Sequence, residues 1–76
     1  MRRKDLLPLG AVVYVVYPAD RPRCLIDGFF MRVDGDEVVF ADPFDGFLDR
    51  VPLHCCFLTL QAADAYLKER QKGGQA

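Results

Sequence analysis

The strongest structural signal in this chain is CLIDGFFMRVDGDEVVF, residues 24–40. Two runs rich in β-branched and aromatic residues, 24–33 and 37–40, surround Asp34-Gly35, a dipeptide typical of a two-residue hairpin turn of type I′. Gly28 interrupts the longer run, and a glycine inside a strand often marks a bulge or a bend that curls the sheet. The sequence therefore predicts a bent antiparallel hairpin at the centre of the molecule.

A further strand is predicted ahead of this hairpin. Residues 11–17, AVVYVVY, are apolar on both alternating faces, which is typical of a strand covered on both sides or at the centre of a curled sheet. Val13, Val15 and Tyr17 share one face, and in an open barrel they would form an interaction surface. A strand this apolar in so small a domain also fits a homodimer.

The segment after the hairpin is rich in turn signals. Asp42-Pro43 and Asp45-Gly46 are both turn-forming dipeptides. Short strands are predicted over residues 47–51 and 53–57, with Pro52 as the break between them.

Residues 59–72 are predicted to form a helix. The hydroxyl of Thr59 can accept a hydrogen bond from a free N–H of the first turn, which is typically worth about 1 kcal/mol. Leu60, Ala63 and Leu67 form an apolar stripe. Because so short a helix is not stable alone, this stripe is expected to dock on the sheet.

Short strands, tight turns and one terminal helix predict a mainly β fold, a small SH3-like, partly open antiparallel barrel of four to five strands. The alternative is an antiparallel sheet with the helix across one face. The 76 residues are expected to form a single domain, with the barrel over 10–58, the helix over 59–72, and flexible ends at 1–5 and 73–76. A chain of this length buries only about 60% of its unfolded surface, so it depends on close packing.

Composition indicates a folded protein in a reducing, cytoplasmic setting. Apolar residues make up 51% of the chain, which favours a packed core over disorder. Three cysteines is an odd number, and the neighbours Cys55 and Cys56 could close only a strained disulfide. The basic residues 2–4 resemble the start of a signal peptide, but a strand-type run follows them. No apolar run approaches the roughly 18 residues that a membrane span needs, so no membrane association is expected.

The cluster His54-Cys55-Cys56 invites a chemical interpretation. With Cys24 it could ligate zinc, but adjacent strand residues point to opposite faces and would not converge on one ion. A Cys-His nucleophile pair of His54 and Cys56 lacks a recognisable orienting group. We therefore expect one cysteine in the core and the other partly exposed, with no metal, no cofactor and no enzymatic activity.

Charge is distributed unevenly along the chain. Residues 19–50 carry eight acids against four arginines, a net charge of 4 − 8 = −4, whereas residues 2–4 and 68–72 are basic. Nucleic-acid binding normally needs a continuous basic face, so this pattern argues against it, and Lys68 and Arg70 are predicted to face solvent. A nucleic-acid-binding barrel that uses the basic termini remains the alternative function.

The loop after the hairpin is the best candidate for a binding site. Phe44 and Phe47 flank a turn that is bracketed by Asp42, Asp45 and Asp49, and these five residues form the predicted partner-binding set. Aromatic residues on a rigid turn are typical anchors of a protein interface. In the other hypothesis, both rings fold back as a lid over the core. The sequence thus favours a non-enzymatic binding module that recognises a protein partner.

A resemblance adds a fold and an origin. The pattern Gly10-x-x-Val13-Tyr14, followed by a bent hairpin and Phe57-Leu58-Thr59-x-x-x-Ala63-x-x-x-Leu67, resembles uncharacterised small SH3-like barrel proteins of Gram-positive bacteria, phages and mobile elements. It covers roughly residues 10–70 and implies no chemistry. What it implies is a phage or mobile-element accessory protein, for example an anti-defence inhibitor whose acidic surface occupies the basic groove of a nuclease.

Overall fold

The computed structural model describes residues 7–18 and 25–73, with backbone only for 71–73. The elements are β1 (Val12–Val16), β2 (Leu25–Asp34), β3 (Glu37–Ala41), β4 (Leu48–Pro52), a 3₁₀ turn (Leu53–Cys55), β5 (Cys56–Phe57) and the helix α1 (Leu60–Gly73). The strands form one antiparallel sheet in the order β4-β3-β2-β1-β5, and among the described residues its edge strands β4 and β5 do not pair. The predicted mainly β, partly open antiparallel fold with one C-terminal helix is confirmed.

The two faces of the sheet follow from the strand register. The face that carries Val13, Val15 and Tyr17 is the core face, and all three side chains are buried, so the prediction that they form an interaction surface is wrong. The core consists of Val13, Val15, Tyr17, Phe30, Val38, Phe40, Val51, Cys55 and Cys56. We call the opposite face, which carries Val12 and Tyr14, the outer face.

The bend in β2 comes from a bulge at Met31. The ladder between β2 and β3 shifts by one residue between Phe30 and Arg32. The extra residue reverses the alternation, so that Val33 pairs with Val38 on the core face while Arg32 points outward. The predicted bulge therefore exists, but it lies three residues after Gly28.

Gly28 serves close packing instead. It pairs with Val13 inside the sheet, and a Cβ at this position would lie 2.7 Å from Cδ2 of Phe40 and 3.3 Å from the carbonyl oxygen of Ala41. The ring of Phe40, which is fully buried, therefore occupies the space that a side chain would need. This contact lets β2 and β3 close tightly around the core.

The hairpin between β2 and β3 differs from the predicted turn. Asp34 pairs with Glu37, so the two loop residues are Gly35 and Asp36. Gly35 has φ +63°, and no described residue other than glycine has a positive φ. A positive φ at the first loop position alone fits a type II′ turn, whereas type I′ needs it at both positions.

The strand predicted over 53–57 is correct only for its last two residues. Pro52, with φ −56° and ψ 150°, ends β4 and leads into the 3₁₀ turn. Both Cys55 and Cys56 are buried, so the expectation of one partly exposed cysteine is wrong. Cys55 belongs to the 3₁₀ turn, where side chains do not alternate between two faces as in a strand, so both cysteines can be buried.

The start of the helix is confirmed and its docking face is corrected. Thr59 Oγ1 accepts a hydrogen bond from Ala62 N–H at 3.1 Å. Ala63 is fully buried as predicted, but Leu60 is exposed, and Tyr66 packs against the core. The docking stripe therefore begins one turn later than expected.

The helix covers the outer face at the β5 end of the sheet. Phe57 pairs with Tyr14, which places both side chains on the outer face, and the ring centroids of Phe57 and Tyr66 are 5.2 Å apart. Arg70 Nη1 donates to the carbonyl of Tyr17 at 2.6 Å, so the prediction that Arg70 faces solvent is wrong. The rest of the outer face lies beyond these contacts.

Candidate functional site

The loop between β3 and β4 has a backbone fixed by its own hydrogen bonds. Asp42 N–H donates to the carbonyl of Phe47, and Gly46 N–H donates to the carbonyl of Asp42, each at 2.9 Å. Gly46 takes φ +74°, a conformation that glycine adopts without steric penalty. We call residues 42–47 the aromatic loop.

Two carboxylates fix the backbone conformation at the two phenylalanines. Oδ1 of Asp42, a buried residue, accepts from Phe44 N–H at 2.8 Å, and Oδ1 of Asp45 accepts from Phe47 N–H at 2.9 Å. An aspartate that bonds the N–H two residues later is the geometry of an Asx turn. In each case, the aspartate two residues earlier fixes the backbone N–H of the phenylalanine.

Both aromatic rings of this loop point into solvent. Phe44 is 83% exposed and Phe47 is 73% exposed. The hypothesis that they form a lid over the core is therefore wrong. Two phenyl groups held open on a fixed backbone are what the interface hypothesis requires.

Asp49 is engaged within the protein. Its Oδ2 accepts from the hydroxyl of Tyr17 at 2.9 Å, and its Oδ1 accepts from Arg50 N–H at 2.8 Å. Asp42 is likewise buried and fixes the loop. Of the predicted binding residues, the structure thus leaves Phe44, Asp45 and Phe47 exposed, whereas Asp42 is buried and Asp49 is half-buried. All three aspartates accept hydrogen bonds within the protein.

The structural role of Asp49 can be tested with the Tyr17→Phe variant. We expect the variant to lower the free energy of unfolding by about 1 kcal/mol, because Asp49 loses a partly buried hydrogen-bond donor. Urea unfolding would measure the change, and capture of a protein partner should be unaffected. Weaker capture with an unchanged unfolding midpoint would instead place Asp49 in the interface.

The free edge of β4 is protected against the addition of another strand. The ladder with β3 alternates so that the backbone groups of Leu48, Arg50 and Pro52 point away from the sheet. Arg50 N–H already donates to the carboxylate of Asp49, and Pro52 has no N–H. A partner strand would therefore lack two of three donors, so recognition at this edge depends on side chains.

The outer face carries an apolar row that sequence reasoning missed. Cross-strand pairing places Val12, Phe29, Ala41 and Leu48 side by side across β1, β2, β3 and β4. The exposed fractions are 47% for Val12, 43% for Phe29 and 54% for Leu48. We call these four residues the apolar row. The Met31 bulge and the long-range register decide which residues align, and neither can be read from local sequence.

A shallow groove of about 220 Å³ lies beside this row. It is lined by Arg32, Val39, Leu48, Asp49 and Arg50. Arg50 is held in ion pairs with Asp34 at 3.4 Å and Glu37 at 3.2 Å. Small-molecule sites typically measure roughly 300–1,000 Å³, so the groove suits a single side chain.

Cys55 and Cys56 are both buried in this fold. Burial raises the pKa of the Cys56 thiol from its usual 9.0 to about 11, so it is protonated at neutral pH and is a poor nucleophile. Burial, together with the neighbouring Cys55, also raises the pKa of Tyr66. Within the described residues no three His, Cys, Asp or Glu side chains cluster as metal ligands would, and Cys24 lies outside those residues.

The helix offers less free positive charge than its sequence suggests. Lys68 pairs with Asp64 at 3.0 Å, and Arg70 is bound to the carbonyl of Tyr17. Residues 1–6 and the side chain of Lys72 lie outside the described part of the chain. Lys68 therefore stays largely exposed beside Asp64, whereas Arg70 is committed to a backbone carbonyl.

The described ranges 7–18 and 25–73 contain no helix with the length and apolar character needed to cross a membrane. Comparisons of the chain with protein-family models, curated proteins and solved structures found no match. The resemblance to SH3-like barrel proteins of phages and mobile elements therefore stays a prediction.

Proposed function

We propose that this protein is a non-enzymatic binding module that captures a protein partner through its aromatic loop. The observation that carries the proposal is the exposure of Phe44 and Phe47, at 83% and 73%, on a backbone fixed by hydrogen bonds. A preformed loop loses little conformational entropy on binding, so more of the contact energy appears as affinity.

The two rings are large enough to dominate such an interface. Burying one phenylalanine side chain contributes about 1.5–3 kcal/mol, so Phe44 and Phe47 together supply about 3–6 kcal/mol. Since 1.4 kcal/mol corresponds to a tenfold change in affinity, the pair accounts for at least about a hundredfold. Anchors of this kind insert into apolar pockets of the partner.

The charge around the rings indicates the chemistry of the partner. Asp45 is exposed between Phe44 and Phe47, so the loop presents a negative charge beside two apolar groups. A basic surface with an apolar pocket would complement it. A cytoplasmic nuclease with a basic groove is one such partner, and an accessory or anti-defence role in a phage or mobile element would follow from it.

The test is a capture experiment with the Phe44→Ser/Phe47→Ser double variant. The immobilised wild type captures its partner from the native host, the partner is identified by mass, and its Kd is measured for each protein. We expect the double variant to bind at least about 100-fold more weakly. Its free energy of unfolding should change by less than about 0.5 kcal/mol, because both rings are exposed.

Leu60→Ser is the matched control, because Leu60 is also an exposed apolar residue but lies at the start of the helix. It should bind like the wild type. Equal Kd values for the wild type and the double variant would remove the aromatic loop from the interface, and partner loss in the Leu60 variant would move the interface to the helix.

A further inference from the structure

The apolar row has opposite charges at equal distances on its two sides. Asp27 pairs with Tyr14, two ladder positions from Val12 of the row. Arg32 pairs with Val39, two ladder positions from Ala41 of the row in the opposite direction.

Both of these charged residues belong to β2. A ladder step is about 3.3 Å, so each charge lies about 7 Å from the row along the strand. The row is therefore an apolar strip with a carboxylate along one side and a guanidinium along the other.

Both charged side chains are available to a partner. Asp27 and Arg32 are exposed, and within the described part of the chain neither is held in an ion pair. Arg50, by contrast, is already satisfied by Asp34 and Glu37. A surface that leaves one charge of each sign unpaired beside exposed apolar groups is suited to a partner with the reverse arrangement.

We propose that the occupant of this face is a second copy of the same chain, packed face to face on the apolar row. A two-fold axis that runs along the row, between the two sheets, places the row of one copy on the row of the other. The same rotation places the Asp27 side of one copy over the Arg32 side of the other. Arg32 of each copy then faces Asp27 of the other, so the same ion pair forms twice. This self-complementarity is what an isologous dimer interface requires.

Within the described residues, edge-to-edge pairing of two sheets is disfavoured. The free edge of β4 lacks the donors for strand pairing, and the other edge strand, β5, is two residues long. Packed sheets lie about 10 Å apart with side chains between them, which Phe29 and Leu48 from both copies can fill. The row is smaller than the roughly 800 Å² per partner of a standard interface, so we expect dissociation in the micromolar range or weaker.

The test measures the mass in solution by sedimentation and light scattering over a wide concentration range. The wild type should rise from the monomer mass of 8.6 kDa toward twice that value. Arg32→Asp and Asp27→Arg should each weaken association at least about tenfold, because like charges then face each other across the two-fold axis. The double variant, Asp27→Arg/Arg32→Asp, should regain wild-type association.

The rescue by the double variant is the decisive result, because only an interface that pairs these two residues across copies predicts it. Both residues are exposed, so the variants are expected to fold, and circular dichroism would verify this. Wild type that stays monomeric throughout would overturn the proposal and leave the face to another partner. Single variants that associate normally, or a double variant that does not recover, would also overturn it.

This dimer does not depend on the aromatic loop. The Phe44→Ser/Phe47→Ser variant should dimerise like the wild type even when it no longer captures a partner, because neither residue belongs to the apolar row. Failure of one proposal is therefore distinguishable from failure of the other.

Discussion

Replacing Gly28 with alanine is expected to lower the free energy of unfolding by about 1–3 kcal/mol. The new Cβ would lie 2.7 Å from Cδ2 of Phe40, and the backbone oxygen of Ala41 at 3.3 Å blocks the other direction. Phe40 is fully buried, so its ring can move only by disturbing the core. Without this clash the sign would be reversed, because alanine is favoured over glycine inside a strand by roughly 0.5–1 kcal/mol.

Urea unfolding followed by circular dichroism measures this change, and a double-mutant cycle identifies its cause. Phe40→Leu alone should destabilise the core, but Gly28→Ala should then cost less than it does in the wild type, because the smaller side chain leaves room for the Cβ. A Gly28→Ala protein as stable as the wild type would show that Phe40 does not restrict this position. Equal costs in both backgrounds would assign the loss to another contact.

Local chemistry explains which parts of the fold could be predicted from the sequence. The hairpin at Asp34-Gly35 and the N-cap at Thr59 depend on residues within a few positions of each other, and both elements exist. The Met31 bulge and the tight contact at Gly28 depend on the partner strand, so the sequence indicated a distortion in this run without locating it. The 3₁₀ turn was missed because Leu53-His54-Cys55 contains none of the glycine, asparagine or aspartate residues that signal a turn.

The candidate site was likewise predictable from the sequence only in part. The turn signals located the aromatic loop, because aspartate and glycine determine its backbone locally. Whether Phe44 and Phe47 cover the core depends on how completely other residues fill it, and nine residues from separate elements do so without them. Asp42 and Asp49 were predicted with the rings because they are neighbours in sequence, whereas the structure uses their carboxylates for hydrogen bonds within the protein.

The two adjacent cysteines lead to the second large expected effect, which is protection from thiol reagents. With Cys24 replaced by serine, only Cys55 and Cys56 remain, and both are buried. At pH 8, a pKa of about 11 leaves roughly one Cys56 thiol in a thousand ionised, against about one in ten at the usual 9.0. The Cys56 thiol of the native protein should therefore react with Ellman's reagent at least about a hundredfold more slowly than it does in urea.

The same shift predicts how stability depends on pH. Because the pKa of Cys56 is higher in the folded protein than its usual 9.0, the folded state holds the proton more tightly, and this contribution is complete below pH 9. It should disappear as the pH rises from 9.0 toward 11, so the urea midpoint should fall over this window. Tyrosines and lysines titrate there too, so Cys56→Ala is the control, and its midpoint should fall less steeply. Two results would contradict this prediction: native thiols that react as fast as unfolded ones, or identical pH slopes in the wild type and Cys56→Ala. Either result would show that Cys56 is accessible to solvent and that the 3₁₀ turn does not close over the core.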